Sequence, residues 1–185
     1  MNKLTFWLAV ILLGFLAMYF FEPTLVITAI LFFYAVYLYR EKHNDYKILM
    51  VAFLVGSIWF FLAKEMYHYN EKIGVKFLGM SLFPLVAWTA GLVAFYYLSN
   101  AVLESAPQFF DSRYKKIVFG FIFYSMLIIA VESFGYNVLG VKLLSNYSGF
   151  SFCNCFHAPL WMQVMYFLNG YIFIGLSELV LDKTP

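Results

Sequence analysis

Three groups of residues in this 185-residue chain have types and spacings suited to chemistry. Cys153-Asn-Cys155-Phe-His157 sets the only two cysteines two positions apart, with a histidine two further on. Thiolate and imidazole suit zinc or copper, so Cys153, Cys155 and His157 are candidate metal ligands. Glu65-Met-Tyr-His68 is a Glu-x-x-His whose i, i+3 spacing on a helix turns both side chains to one face, half of a di-iron pattern. The chain has no second such pair, so Glu65 and His68 instead join the smaller zinc or copper set or act at the polar end of a groove. Glu132 is a lone carboxyl near the end of an apolar stretch. An ionisable group near hydrocarbon is costly and marks a functional position by default. Glu65, Glu132 and His68 are therefore the candidate catalytic residues.

Plainer readings stand beside these. Glu65 can pair with Lys64 or Lys72, Glu132 can sit in headgroup water, and the cysteine segment can be an outer loop with an interfacial histidine. A direct Cys153–Cys155 bridge needs a Cα separation of about 5.5 Å with converging Cβ vectors, and extended i, i+2 side chains converge poorly. Free thiols, a labile bridge and bridges to another chain all stay open. Cys-x-Cys is not the Cys-x-x-Cys of thioredoxin-like proteins. Gly-rich phosphate loops, Gly-x-Ser-x-Gly and His-Glu-x-x-His are missing from the sequence, so nucleotide hydrolysis, serine hydrolysis and zincin proteolysis lack their motifs. No motif names a cofactor.

The elements that carry these residues follow from composition. The chain is 64% hydrophobic, 23% aromatic and 12% charged, with a mean hydropathy of +0.80, against about half apolar for a soluble domain. This is a membrane protein of a length suited to one domain, residues 1–185. A net charge of +2 with its basic residues in short loops argues against nucleic acid as a partner. Runs able to cross roughly 30 Å of hydrocarbon fall near 4–21, 24–39, 48–63, 77–98, 117–134 and 158–180. The first lacks a small-residue cleavage site and is read as a retained helix. Only Glu22-Pro23 separates the first two runs, which predicts a tight helical hairpin. The fold class is an all-α polytopic bundle of about six helices.

Positive charge sets the expected orientation. Lys3, Arg40, Lys42, Lys47, Arg113, Lys115, Lys116 and Lys183 fall on one side; Lys64, Lys72, Lys76 and Lys142 fall on the other. Both termini are expected in the cytoplasm of a cell-membrane protein, with Glu65, His68, Glu132 and the Cys153–His157 segment toward the outer face. Segments 64–88 and 131–161 share an order of features: a Glu, Tyr and Asn, Gly-Val-Lys, then Pro-Leu and Trp. Taken as an internal repeat, this predicts two three-helix halves with a site at their interface. The cysteine segment is then an expansion of nine residues in the second copy.

The stretch Tyr67-His-Tyr69-Asn-Glu-Lys-Ile-Gly74-Val-Lys76-Phe-Leu-Gly-Met80-Ser-Leu82, followed by Trp88, resembles the integral-membrane carotenoid hydratase-like family, whose members carry a Tyr-rich loop, a Gly-x-Lys and an apolar run ending in Trp. Glu132 ahead of Gly140 is similar as well, whereas Ser81 stands where the family has proline. The resemblance implies a polytopic enzyme adding water to an isolated double bond of a long isoprenoid. That needs a protonated carboxyl and a site admitting one water, with Glu65 and Glu132 as candidates.

Three functions are expected from the sequence. The first is a membrane enzyme or binding protein for an apolar, isoprenoid-like lipid. The second is a non-catalytic subunit of a larger membrane complex, with other membrane subunits as partners. The third is a small-solute transporter, against which the scarcity of central charges counts. The aromatic load, as in "LFFYAVYLY" and "FGFIFYSM", serves either as lipid-facing filler or as the lining of a groove.

Overall fold

In the computed structural model, residues 3–41, 44–66, 68–70, 73–77, 79–144 and 146–181 are described. Lys42, Tyr67, Glu71, Lys72 and Lys183, which enter the charge count or the quoted motifs, lie outside the described residues. Six helices long and apolar enough to span a membrane dominate the fold. They are α1 (Lys3–Phe20), α2 (Pro23–Arg40), α3 (Tyr46–Ala63), α4 (Phe83–Ser105), α5 (Arg113–Asn137) and α6 (Leu160–Leu181). An 18-residue helix such as α1 is about 27 Å long at 1.5 Å per residue, close to the hydrocarbon thickness. The chain is an integral, multi-pass membrane protein.

Local chemistry sets the helix ends. Glu22 caps α2, its carboxylate accepting from the Leu25 amide at 2.7 Å and from the Thr24 hydroxyl at 2.7 Å. Pro23 opens the helix where a missing N–H costs nothing, so the α1–α2 turn is as tight as its sequence implies. The fourth helix starts at Phe83 rather than 77, because Lys76–Phe77 (β1) and Met80–Ser81 (β2) pair as a short antiparallel hairpin. Gly79 turns that hairpin at φ 79°, a left-handed conformation natural to glycine. Ser112 caps α5, accepting from the Lys115 amide at 3.3 Å, and α5 runs on to Asn137, past the 117–134 apolar run. Glu132 is therefore inside a helix, five residues short of its end.

α4 is the central helix, packed against α1, α2, α3 and α5, while α6 packs on α3 and α5. The closest partners are α3 and α4. A side chain at Gly56 would come within 3.1 Å of the Thr89 hydroxyl and 3.4 Å of the Leu85 carbonyl, so the small residue lets the backbones approach. Two buried clusters fill the α3–α4–α5–α6 side. Ile48, Ala52, Leu92, Phe95, Tyr124 and Phe173 occupy the half nearer the termini. Trp59, Trp88, Phe156, Met162 and Tyr166 occupy the other. α1, by contrast, buries none of its residues.

α4, which touches four other helices, packs across the two sets of three helices that an internal repeat would define. The two similar segments hold corresponding places, one joining α3 to α4 and the other joining α5 to α6. Their loops meet. Tyr69 and Leu143 form an antiparallel bridge, the Leu144 amide donates to the His68 carbonyl at 2.6 Å, and the Asn70 amide donates to the Lys142 carbonyl at 3.0 Å. The Asn70 side chain donates to the Gly140 carbonyl at 2.7 Å. Together they form a cap on one face of the bundle, here the loop face; the face opposite carries the described ends of the chain.

Candidate functional site

A cavity of about 750 Å³ lies between α1, α2, α4 and α5. It exists because α4 turns a row of small residues toward it: Ala87, Ala90, Gly91 and Ala94 line the cavity at i, i+3, i+4 and i+7, one helical face. Added Cβ atoms at Gly91 and at Gly135 of α5 would meet nothing within 4 Å, so these glycines leave open space rather than allow close packing. The facing walls are bulky and apolar, with Val10, Ile11 and Phe15 from α1, Ile27, Ile30 and Leu31 from α2, and Leu127 and Val131 from α5. From Phe83 to Tyr97, both lining residues, α4 rises about 21 Å, so the cavity is a long slot along the bundle. The volume is within the roughly 300–1,000 Å³ of small-molecule sites.

α1 forms the outer wall without burying itself, touching α5 where the Phe15 and Phe134 rings approach to 4.7 Å between centroids. α1 thus lines the slot and packs on α2 and α4 while none of its residues is buried.

Polar groups are few and sit near the two ends. At the end nearer the termini, Tyr97 donates a hydrogen bond to Asp45, and the Tyr34 and Tyr97 hydroxyls are hydrogen-bonded to each other. Trp7 stacks on the Tyr97 ring at 4.4 Å. Toward the loop face is Glu132, half-buried and lining the cavity. It makes no hydrogen bond or ion pair among the described residues. A smaller recess of about 100 Å³ shares Glu132, Tyr124 and Tyr166 with the α4 wall residues.

His157 and Tyr136 close the loop-face end, their rings stacked at 4.0 Å. The His157 Nδ1 is 3.0 Å from the Tyr147 carbonyl oxygen and its Nε2 is 3.0 Å from Asn154 Oδ1. Asn154 is held in turn, donating to Asn137 Oδ1 at 2.9 Å. The histidine is a structural tie between loop and cavity rim.

The structure brings one of the three candidate catalytic residues to the cavity. Glu132 lines it; Glu65 and His68 do not. α3 ends at Ala63 and gives way to a 3-10 turn over Lys64–Met66, so Glu65 and His68 share no helical face. The Glu65 side chain is 76% exposed and is 3.9 Å from Lys64, and His68 is exposed.

The candidate metal ligands are differently employed. Cys153 and Cys155 are joined by a disulfide, with a Cα separation of 5.2 Å. Convergence comes from Asn154, whose φ of 46° replaces the extended geometry assumed from spacing by a turn. The sulfurs are bonded to each other and both His157 nitrogens face protein oxygens, so the three do not converge on a metal. Among the described residues, no cluster of three or more His, Cys, Asp or Glu side chains has metal-binding geometry. The disulfide turn is instead part of the core, with Cys155 and Phe156 buried against Trp59, Trp88 and Met162.

Sequence reasoning raised an aromatic-lined groove with Glu132 at its polar end, but missed the small-residue face of α4 that forms the cavity and its Asp45–Tyr97–Tyr34 end. The signal was the run of small residues on one face of a chain otherwise heavy in Phe, Tyr and Leu. Fold and cavity together define a multi-pass integral membrane protein with an internal apolar slot. No family model, curated protein or solved structure matches the chain.

Proposed function

We propose that the protein binds a long apolar, isoprenoid-like lipid in the slot, with Glu132 meeting the polar end of the ligand. The single observation behind this is a cavity of about 750 Å³, apolar along its length and carrying an unpaired carboxyl. An apolar chain would gain packing contacts along the slot walls, and its polar end would give the intramembrane carboxyl, costly when unpaired, a partner. Any chemistry on the ligand, including the alkene hydration implied by the carotenoid hydratase resemblance, falls to Glu132, since Glu65 and His68 are outside the slot. Both termini are assigned to the cytoplasm, in keeping with the excess of basic residues on their side and with a disulfide on the loop face, as an oxidising compartment favours.

The test is extraction of lipids from protein purified in mild detergent, with mass spectrometry and native mass. Wild type is expected to retain a lipid in near-stoichiometric amount, and Gly91→Phe, which fills open space in the slot, to lose most of it. Equal lipid in both proteins refutes the assignment. Stoichiometric partner subunits without lipid would favour an accessory subunit instead.

A further inference from the structure

Building on the lipid-binding function above, we propose that the ligand's polar end is a hydrogen-bond donor without negative charge, an alcohol or an amine, held by Glu132. No lysine or arginine lines the slot among the described residues; its ionisable groups are the carboxyls of Asp45 and Glu132, the phenols of Tyr34, Tyr37, Tyr69, Tyr97, Tyr136 and Tyr166, and the imidazole of His157. His157 has no free ring nitrogen to offer a ligand, because Nδ1 already faces the Tyr147 carbonyl and Nε2 the Asn154 side chain. Lys142 reaches the wall from the loop side, with its ammonium 4.6 Å from the centre of the Tyr136 ring, and does not line the slot. Lys3 is held at the opposite face by Glu104 at 2.8 Å.

A fatty acid, phospholipid or prenyl diphosphate would therefore bring its negative charge beside a carboxyl with no lysine or arginine among the described lining residues to answer it, where like charges repel strongly. A hydroxyl suits Glu132 in either protonation state, since it both donates and accepts. An ammonium forms a charge-assisted bond with the carboxylate. Glu132 is five residues from the end of α5, about 7 to 8 Å along the helix. The head is thus near the loop face, and the tail points along α4 toward Trp7 and Tyr97.

The test is binding of four probes with one hydrocarbon chain, hexadecanol, hexadecylamine, palmitate and hexadecyl phosphate, to the purified full-length protein in nanodiscs. The alcohol and the amine are expected to bind roughly tenfold or more tightly than the two anions. Glu132→Gln is expected to weaken the amine by roughly tenfold and to leave the alcohol within about threefold, because an amide still hydrogen-bonds a hydroxyl. Palmitate or hexadecyl phosphate binding wild type as tightly as hexadecanol overturns the proposal, and that comparison needs no variant. Unchanged amine affinity in Glu132→Gln overturns the role of Glu132. Gly91→Phe separates the two levels. If it abolishes all binding while the heads are not distinguished, the slot holds lipid and the head assignment is wrong; if it affects no probe, lipid binding in the slot is itself wrong.

Discussion

At the scale of single residues, helical context decides which suggestive spacing has meaning. Glu132 is legible as a carboxyl in an apolar stretch, and it does line the cavity. Glu65 and His68 looked equally placed, but i, i+3 spacing matters only on a helix, and α3 stops at Ala63. The cysteine pair stayed open between free thiols and a bridge because a single left-handed residue, Asn154, cannot be read from spacing; Asn is among the few non-glycine residues that visit this region readily. Gly170 was likewise silent in the sequence. A Cβ there would overlap the Tyr124 ring, whose hydroxyl donates to the Tyr166 carbonyl at 2.8 Å. Gly170→Ala is expected to lower stability by about 1–3 kcal/mol, the usual cost of overpacking, read as a drop in thermal midpoint in detergent. An unchanged midpoint would mean that Tyr124 moves aside freely.

At the scale of elements, the number and class of helices were legible because hydropathy and length are strong signals for spans. Boundaries were less so. The 77–98 run includes the β-hairpin, whose strand pairing across Gly79 competes with helix and wins ahead of Pro84. The arrangement of helices was not legible, since hydropathy does not say which face meets which neighbour. The placement of α1, lining the slot with none of its residues buried, follows from that arrangement and has a consequence. If lipid reaches the slot between α1 and α5, tying Phe15→Cys to Phe134→Cys with a short bifunctional thiol reagent will slow loading by roughly tenfold, as gating motions of packed elements are lost. Each single variant treated alike should load normally. Equal rates in the tied and untied proteins would place access elsewhere.

At the scale of the whole molecule, the bundle is asymmetric: one side is densely packed around aromatic clusters and the other encloses the slot. The capped loop face carries the disulfide, and the opposite face carries most of the basic residues. In intact cells, a membrane-impermeant reductant followed by an impermeant maleimide is expected to label Cys153, which is half-exposed. Labelling that requires permeabilised cells would reverse the orientation.

Photolabelling addresses the slot most directly. Protein in nanodiscs would be irradiated with a diazirine-bearing long-chain alcohol, with and without excess unlabelled hexadecanol, and the modified residues mapped. The expected result is displaceable labelling on the cavity face of α4, around Ala87, Ala90, Gly91 and Ala94, with non-displaceable labelling on outward residues such as Phe32, Phe33 and Phe53, which are exposed. Labelling confined to those outward residues, or unaffected by competitor on α4, would contradict a lipid site inside the bundle.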